Sequence, residues 1–187
     1  MQRNAVRSAV RIQTPVPDPP TGFSMNRSDV RTLLEFTRKK TLDTLDAIAK
    51  RPDAAAVLAW RPGPGRAHVA WQLMHIAATD DRHLTIRMKG GSAAEPENVR
   101  RFAGGSTPDD NIPTIDEIRR YLNERRAAML AHFDSLSEAD LPKKPNDAAP
   151  WTYETWVQVL MWHESHHQGQ AHLSLNLYKS AHGETAA

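Results

Sequence analysis

Apolar residues recur at helical spacing in four long stretches of this chain, and nowhere does the period-two alternation of a half-buried strand appear. The first stretch predicts a helix from Ser28, as N-cap, to about Lys50, with Val30, Leu33, Leu34, Thr37, Thr41, Leu45 and Ile48 on one face. The second, over about 66–88, carries Trp71, Leu73, Met74, Ile76, Ala77 and Leu84 on several sides, which predicts the most buried helix. The third opens with Thr114-Ile-Asp-Glu117 after Pro113, a capping box, and its stripe is Ile115, Ile118, Leu122, Arg125, Met129 and Phe133. The fourth runs from about Thr152 to Lys179. Four helical stretches without strands predict an all-α, four-helix bundle.

The segments between these stretches differ in kind. Residues 1–24 hold Pro15, Pro17, Pro19 and Pro20 without periodicity and read as a disordered or loosely docked leader, leaving 25–187 as the domain. Met25, directly after it, is a second candidate start. The first and second helices are joined by a Pro-rich link that includes Trp60-Arg61-Pro62-Gly63-Pro64-Gly65. Residues 89–113 mix glycine, proline and acidic residues without a pattern. A connection of this length is unusual inside a compact domain. It is long enough to cross a bundle from end to end, at about 3.3 Å per extended residue, so a crossing and a lid both stay open.

Charge and composition narrow the function. With 24 basic and 22 acidic side chains, the formal net charge of the 187 residues is +2, and no basic cluster accompanies it. That balance gives no reason to expect nucleic acid or an anionic membrane as a partner. No stretch approaches the ~20 apolar residues of a membrane span. Arg3, Arg7 and Arg11 lack the apolar core of a secretory signal, so a cytoplasmic protein is expected. There is no cysteine, so any metal site must be built from histidine and carboxylate.

Of nine histidines, the informative ones lie in Trp162-His163-Glu164-Ser165-His166-His167-Gln168-Gly169-Gln170. At about 100° per residue, His163 and His167 project within about 40° of each other. Trp156, Val159, Leu160, Gln170, Ser174 and Leu177 fall on the same side, which points both imidazoles into the core. A single core histidine needs only a hydrogen bond. Two at i, i+4 with a polar Gln170 one turn on would each cost on the order of 1–3 kcal/mol unpaired, and one divalent ion removes that cost. The third ligand is expected from another helix, with His75 as the best candidate and His83 as the fallback. His172 falls on the opposite side from His163, and His166 lies to one side as a catalytic or substrate-facing candidate. His68, His132 and His182 receive no function.

His163-Glu164-Ser165-His166-His167 also matches H-E-x-x-H, but a metzincin's third histidine would stand where Leu173 is, and only 20 residues follow His167. The zincin reading fails on context, and Glu164 is kept as a candidate general base. Thr79, Arg82 and Gln170 are expected to line the pocket. Arg82 lies on the His75 face, where it could hold an anionic substrate group or a surface ion pair.

The Trp60–Gly65 link, Trp71-x-x-x-His75-Ile-Ala and His163-x-x-x-His167-x-Gly169-Gln170 together resemble the DinB/YfiT-like superfamily of metal-dependent four-helix-bundle proteins, over about residues 26–180. The resemblance implies a three-histidine site for one divalent metal, zinc or nickel first and manganese or iron otherwise. It also implies an up-down-down-up bundle with the long connection between the second and third helices, and a homodimer. The activity it implies is a thiol S-transferase using a low-molecular-weight thiol. A hydrolase using metal-bound hydroxide is a further enzyme reading, and either would act on a small-molecule substrate. The competing class is a non-catalytic metal-binding or stress-response protein in which the metal is structural.

Overall fold

In the computed structural model, which describes residues 25–184, every regular element is helical. The expected leader lies outside the described residues. Helix α1 spans Arg27–Ala49, α2 Ala54–Ala59, α3 Val69–Asp81, α4 Pro96–Arg101, α5 Ile115–Asp134 and α6 Tyr153–Ala181. A π-helical segment, Arg82–Met88, continues α3, and a 3-10 turn covers Glu138–Asp140. Four of the six α-helices are long, and they correspond to the four periodic stretches. The two short ones lie in segments that carry no sustained pattern. None of the helices is long and apolar enough to cross a membrane.

The helix starts follow their capping chemistry. Asn26, not Ser28, caps α1 through a reciprocal box with Asp29, because its side chain reaches the Asp29 amide at 2.9 Å. Thr114 and Glu117 form the expected box at α5, and Thr152 caps α6. His68 caps α3: its Nδ1 accepts from the Trp71 amide at 3.0 Å, which leaves Nε2–H to donate to the Asp109 carbonyl at 3.1 Å.

All thirteen residues of α3 are buried, as the all-round apolar pattern predicts. Helix α1 packs against α5 and α6, and α3 packs against the same two. Two apolar clusters fill the interior. One gathers Leu45 and Ile48 of α1, Leu73 and Ile76 of α3, Leu122 of α5 and Leu175 of α6. The other gathers Val30 and Leu34, Leu84 and Met88, Met129, and Trp156.

Between these clusters lies a layer of buried charge to which each long helix contributes one residue: Arg38, Asp80, Arg126 and Glu164. Arg38 donates to Glu164 at 2.7 Å and to Asp80 at 2.9 Å. Arg126 pairs with Asp80 at 3.1 Å and with the other oxygen of Glu164. Thr41 donates to Glu164 at 2.8 Å and Thr37 at 3.3 Å. The arginines also cap the Leu122 and Leu34 carbonyls. Burial alone would push the Glu164 carboxyl up, but the Arg38 and Arg126 guanidiniums hold it below the ordinary glutamate value.

This layer corrects two expected stripes. On α5 the buried arginine is Arg126, with Arg125 only part-buried. On α6 the core-facing line runs through Trp156, Leu160, Glu164, Ala171 and Leu175, while Leu177 is exposed and Val159 part-buried. The stripe is rotated because a neutralised carboxylate occupies a place that hydrophobicity alone assigns to solvent.

The connection after the π-helical segment is tied down along its length. The buried Asp81 carboxylate accepts from the Ala94 and Glu95 amides at 3.0 and 2.9 Å and from Tyr121 Oη at 3.2 Å. Arg61, in the Pro-rich link, donates to the Pro108 and Asp109 carbonyls at 3.2 and 3.0 Å. Gly65 closes that link at φ 70°, a left-handed conformation that glycine adopts without strain.

Glu164→Ala leaves two buried guanidiniums short of a counter-charge and should destabilise the fold by roughly 3–5 kcal/mol. Urea unfolding measures it, and a loss under about 1 kcal/mol, the range of an exposed pair, would show that the layer is solvated.

Candidate metal centre

The three histidines singled out from the sequence come together. Helix α3 presents His75, and α6 presents His163 and His167 on its α3-facing side, one turn apart. One ring nitrogen of each lies within 4.8 Å of the others, so the group could hold a metal ion. The ring centroids are 4.8 Å apart for His75 and His163, 4.4 Å for His75 and His167, and 4.5 Å for His163 and His167.

The outer contacts of the rings decide which nitrogens face inward. His75 Nδ1 donates to the Phe102 carbonyl at 2.5 Å, and a carbonyl can only accept, so Nε2 keeps its lone pair. His167 Nδ1 donates to the Gln72 amide oxygen at 2.7 Å, with the same result. A metal-binding imidazole is ordinarily oriented this way, by a carbonyl or carboxylate on its other nitrogen. His75 Nε2 faces His163 Nε2 at 3.0 Å. Two nitrogens that share one ion at ~2.1 Å each stand at most ~4.2 Å apart, so this pair fits. Trp71 stacks on His75 at 4.7 Å with the planes 10° apart, holding the ring from behind.

The surroundings keep the rings neutral. Burial, with the neighbouring imidazoles adding to it, pushes the His163 pKa down to about 2 and that of His167 to about 3. Burial also lowers His75, against the opposing pull of the Phe102 carbonyl. A neutral imidazole is the form that binds a metal.

A cavity of about 230 Å³ opens beside the group. Its lining includes His75, His163, Thr79, Arg82 and His83, together with Val99, Phe102 and Ala103 from α4 and the loop after it.

A sequence profile of the DinB superfamily matches residues 7–171. The chain belongs to the DinB superfamily. No curated protein matches it. The match begins at residue 7, inside the expected leader, whereas the motifs read from the sequence begin after it.

In this DinB-superfamily chain the remaining candidates are placed unevenly. Thr79 lies 3.3 Å from His163 Nε2, and Arg82 lines the cavity. Gln170 does not reach the three rings; it pairs with His166 at 2.8 Å on the outer face of α6, where His166 stacks on Trp162 at 5.3 Å. His172 is exposed, and His83 packs on Trp156 at 4.6 Å. Glu164 is buried in the ionic layer and paired to two arginines, turned away from the rings. Two residues that sequence reasoning missed orient the site. Gln72 stands one turn before His75, where a buried amide on an apolar helix is a signal that can be read; the Phe102 carbonyl leaves none.

Unfolded histidines titrate near ~6.5. The folded protein holds His163 and His167 neutral far below that. Their contribution to metal-free stability is therefore complete above about pH 6.5 and is lost as the pH falls towards the folded values. The urea midpoint of metal-free protein should drop between about pH 7 and about pH 5, and His163→Gln should reduce the drop. A flat midpoint over that range would contradict neutral, buried rings.

Proposed function

We propose that this chain is a divalent-metal-dependent enzyme in which His75, His163 and His167 hold one ion and a small nucleophile, a low-molecular-weight thiol or water, is activated beside it. Zinc or nickel is the first choice of ion, with manganese or iron as the alternatives. The observation that carries this reading is the open donor set: three inward-facing imidazoles beside a cavity, with no fourth histidine or carboxylate joining the group among the described residues. A structural ion is normally closed by four protein ligands. A bound divalent ion would supply Lewis acidity that makes a thiol or water more acidic at neutral pH.

The chain's own residues do the rest. Phe102 and Gln72 fix the His75 and His167 rings through their Nδ1 atoms. Thr79 brings a hydroxyl to the edge of the group, where it can hold or pass a proton. Burial of the rings keeps protons from competing for their nitrogens. The up-down-down-up order is supported by pairs that run in step between α1 and α6, from Thr41–Glu164 to Arg51–Glu184, and in reverse between α1 and α5, from Arg31–Asp134 to Asp46–Arg119. The exposed Trp162, Leu173 and Leu177 on the outer face of α6 support the expectation of a homodimer.

Elemental analysis should find near one divalent ion per chain, a sharp loss in His75→Ala, His163→Ala and His167→Ala, and wild-type content in His172→Ala. Metal-loaded protein should conjugate a thiol to an electrophile or hydrolyse an ester, and chelation should abolish the rate. Full metal content in His75→Ala would sink the ligand set, and a chelator-insensitive rate would sink the enzyme reading.

A further inference from the structure

The cavity beside the three histidines carries charge of one sign only. Arg82, an exposed residue, lines it and makes no hydrogen bond or ion pair among the described residues, and no aspartate or glutamate is among the lining residues. His83, the next residue of the π-helical segment, lines the same space, and its buried Nδ1 has no hydrogen-bond partner. That atom has no surface open to the cavity, so a ligand there reaches only the other nitrogen of the ring. Val99, Phe102 and Ala103, which also line the cavity, are apolar.

We infer that Arg82 and His83 form the recognition end of the substrate site, and that the substrate is a small carboxylic acid whose reactive end lies at His75 and His163. This rests on the metal-centre reading above and adds the substrate's chemical class. An unpaired guanidinium beside apolar walls selects an anion, and its planar fork matches the two oxygens of a carboxylate. The imidazole of His83 supplies one further contact. A single planar fork pairs with both oxygens of a carboxylate, whereas a third phosphate oxygen would be left to solvent. The cavity, at about 230 Å³, falls below the ~300–1,000 Å³ typical of drug-sized ligands, which favours an acid of a few carbons. The π-helical segment contributes both residues from adjacent positions, and such segments recur at functional sites.

The test uses cobalt(II)-loaded protein, in which a thiol reaching the ion gives a sulfur-to-cobalt charge-transfer band, so that binding is read without turnover. The probes are 3-mercaptopropionate and its methyl ester, which differ in charge at the far end. Wild type should bind the acid roughly 10- to 100-fold more tightly than the ester, as expected for hydrogen bonds to a charged group. Arg82→Met should abolish the preference while cobalt content per chain stays unchanged. Arg82→Lys should restore part of it, and His83→Phe, which keeps an aromatic ring against Trp156, should weaken it several-fold. Equal binding of acid and ester in wild type, or a full preference in Arg82→Met, would overturn the assignment. Titration calorimetry of metal-free protein with propanoate against methyl propanoate separates the two readings. Failure to take up cobalt would sink the metal centre, and the carboxylate preference would then stand or fall by calorimetry alone.

Discussion

The buried layer of Arg38, Asp80, Arg126 and Glu164 is the constraint around which the rest of this structure is arranged. Removing four charges from water costs several kcal/mol per ion, and apolar residues of the same volume would hold four helices together without that cost. What the charges supply is discrimination. Apolar stripes pack tolerably when one helix slides by a turn, whereas a one-turn slip here would leave an arginine or a carboxylate alone in the interior. Each helix passes from one apolar cluster through its single charge into the other cluster, so the layer defines a common level for all four.

That level is also the level of the candidate metal centre. Thr79 precedes Asp80 on α3, and His163 precedes Glu164 on α6, so the residues that set the helix register are covalent neighbours of residues at the site. The two constellations share helices but not chemistry. Two cations and two anions cancel in the layer, and the three histidines beside it stay neutral. The H-E-x-x-H string thus has its histidines and its glutamate on different faces, and the glutamate is occupied in holding helices together.

Periodicity made the long helices legible, because three of the four keep a polar side that contrasts with their apolar side, and α3 lacks that contrast because it has no exposed side. The capping box of α5 was legible for the same local reason. The α1 cap lies at Asn26 and not at Ser28 because Asp29, three residues on, completes a reciprocal box, whereas Arg31 stands at the matching place after Ser28. The ionic layer could not be read. Arg125 and Arg126 are equally plausible on a wheel, and the choice depends on two acids from helices distant in sequence. The His75, His163 and His167 group was legible because i, i+4 spacing converts directly into a shared face, while Gln170 was misplaced when the α6 stripe was drawn through the histidines. The short helices α2 and α4 carry too few residues to show a period.

The hydrogen bond from His75 to the Phe102 carbonyl joins α3 to the connection that leads to α5, at a residue 27 positions later in the chain. The imidazole lone pair turned towards the other two rings is therefore fixed by a segment that is itself held through Asp81, Arg61 and Phe102. The orientation of the third imidazole thus depends on a contact distant in sequence, made by the irregular part of the molecule, whereas the i, i+4 pair on α6 is placed by a single helix.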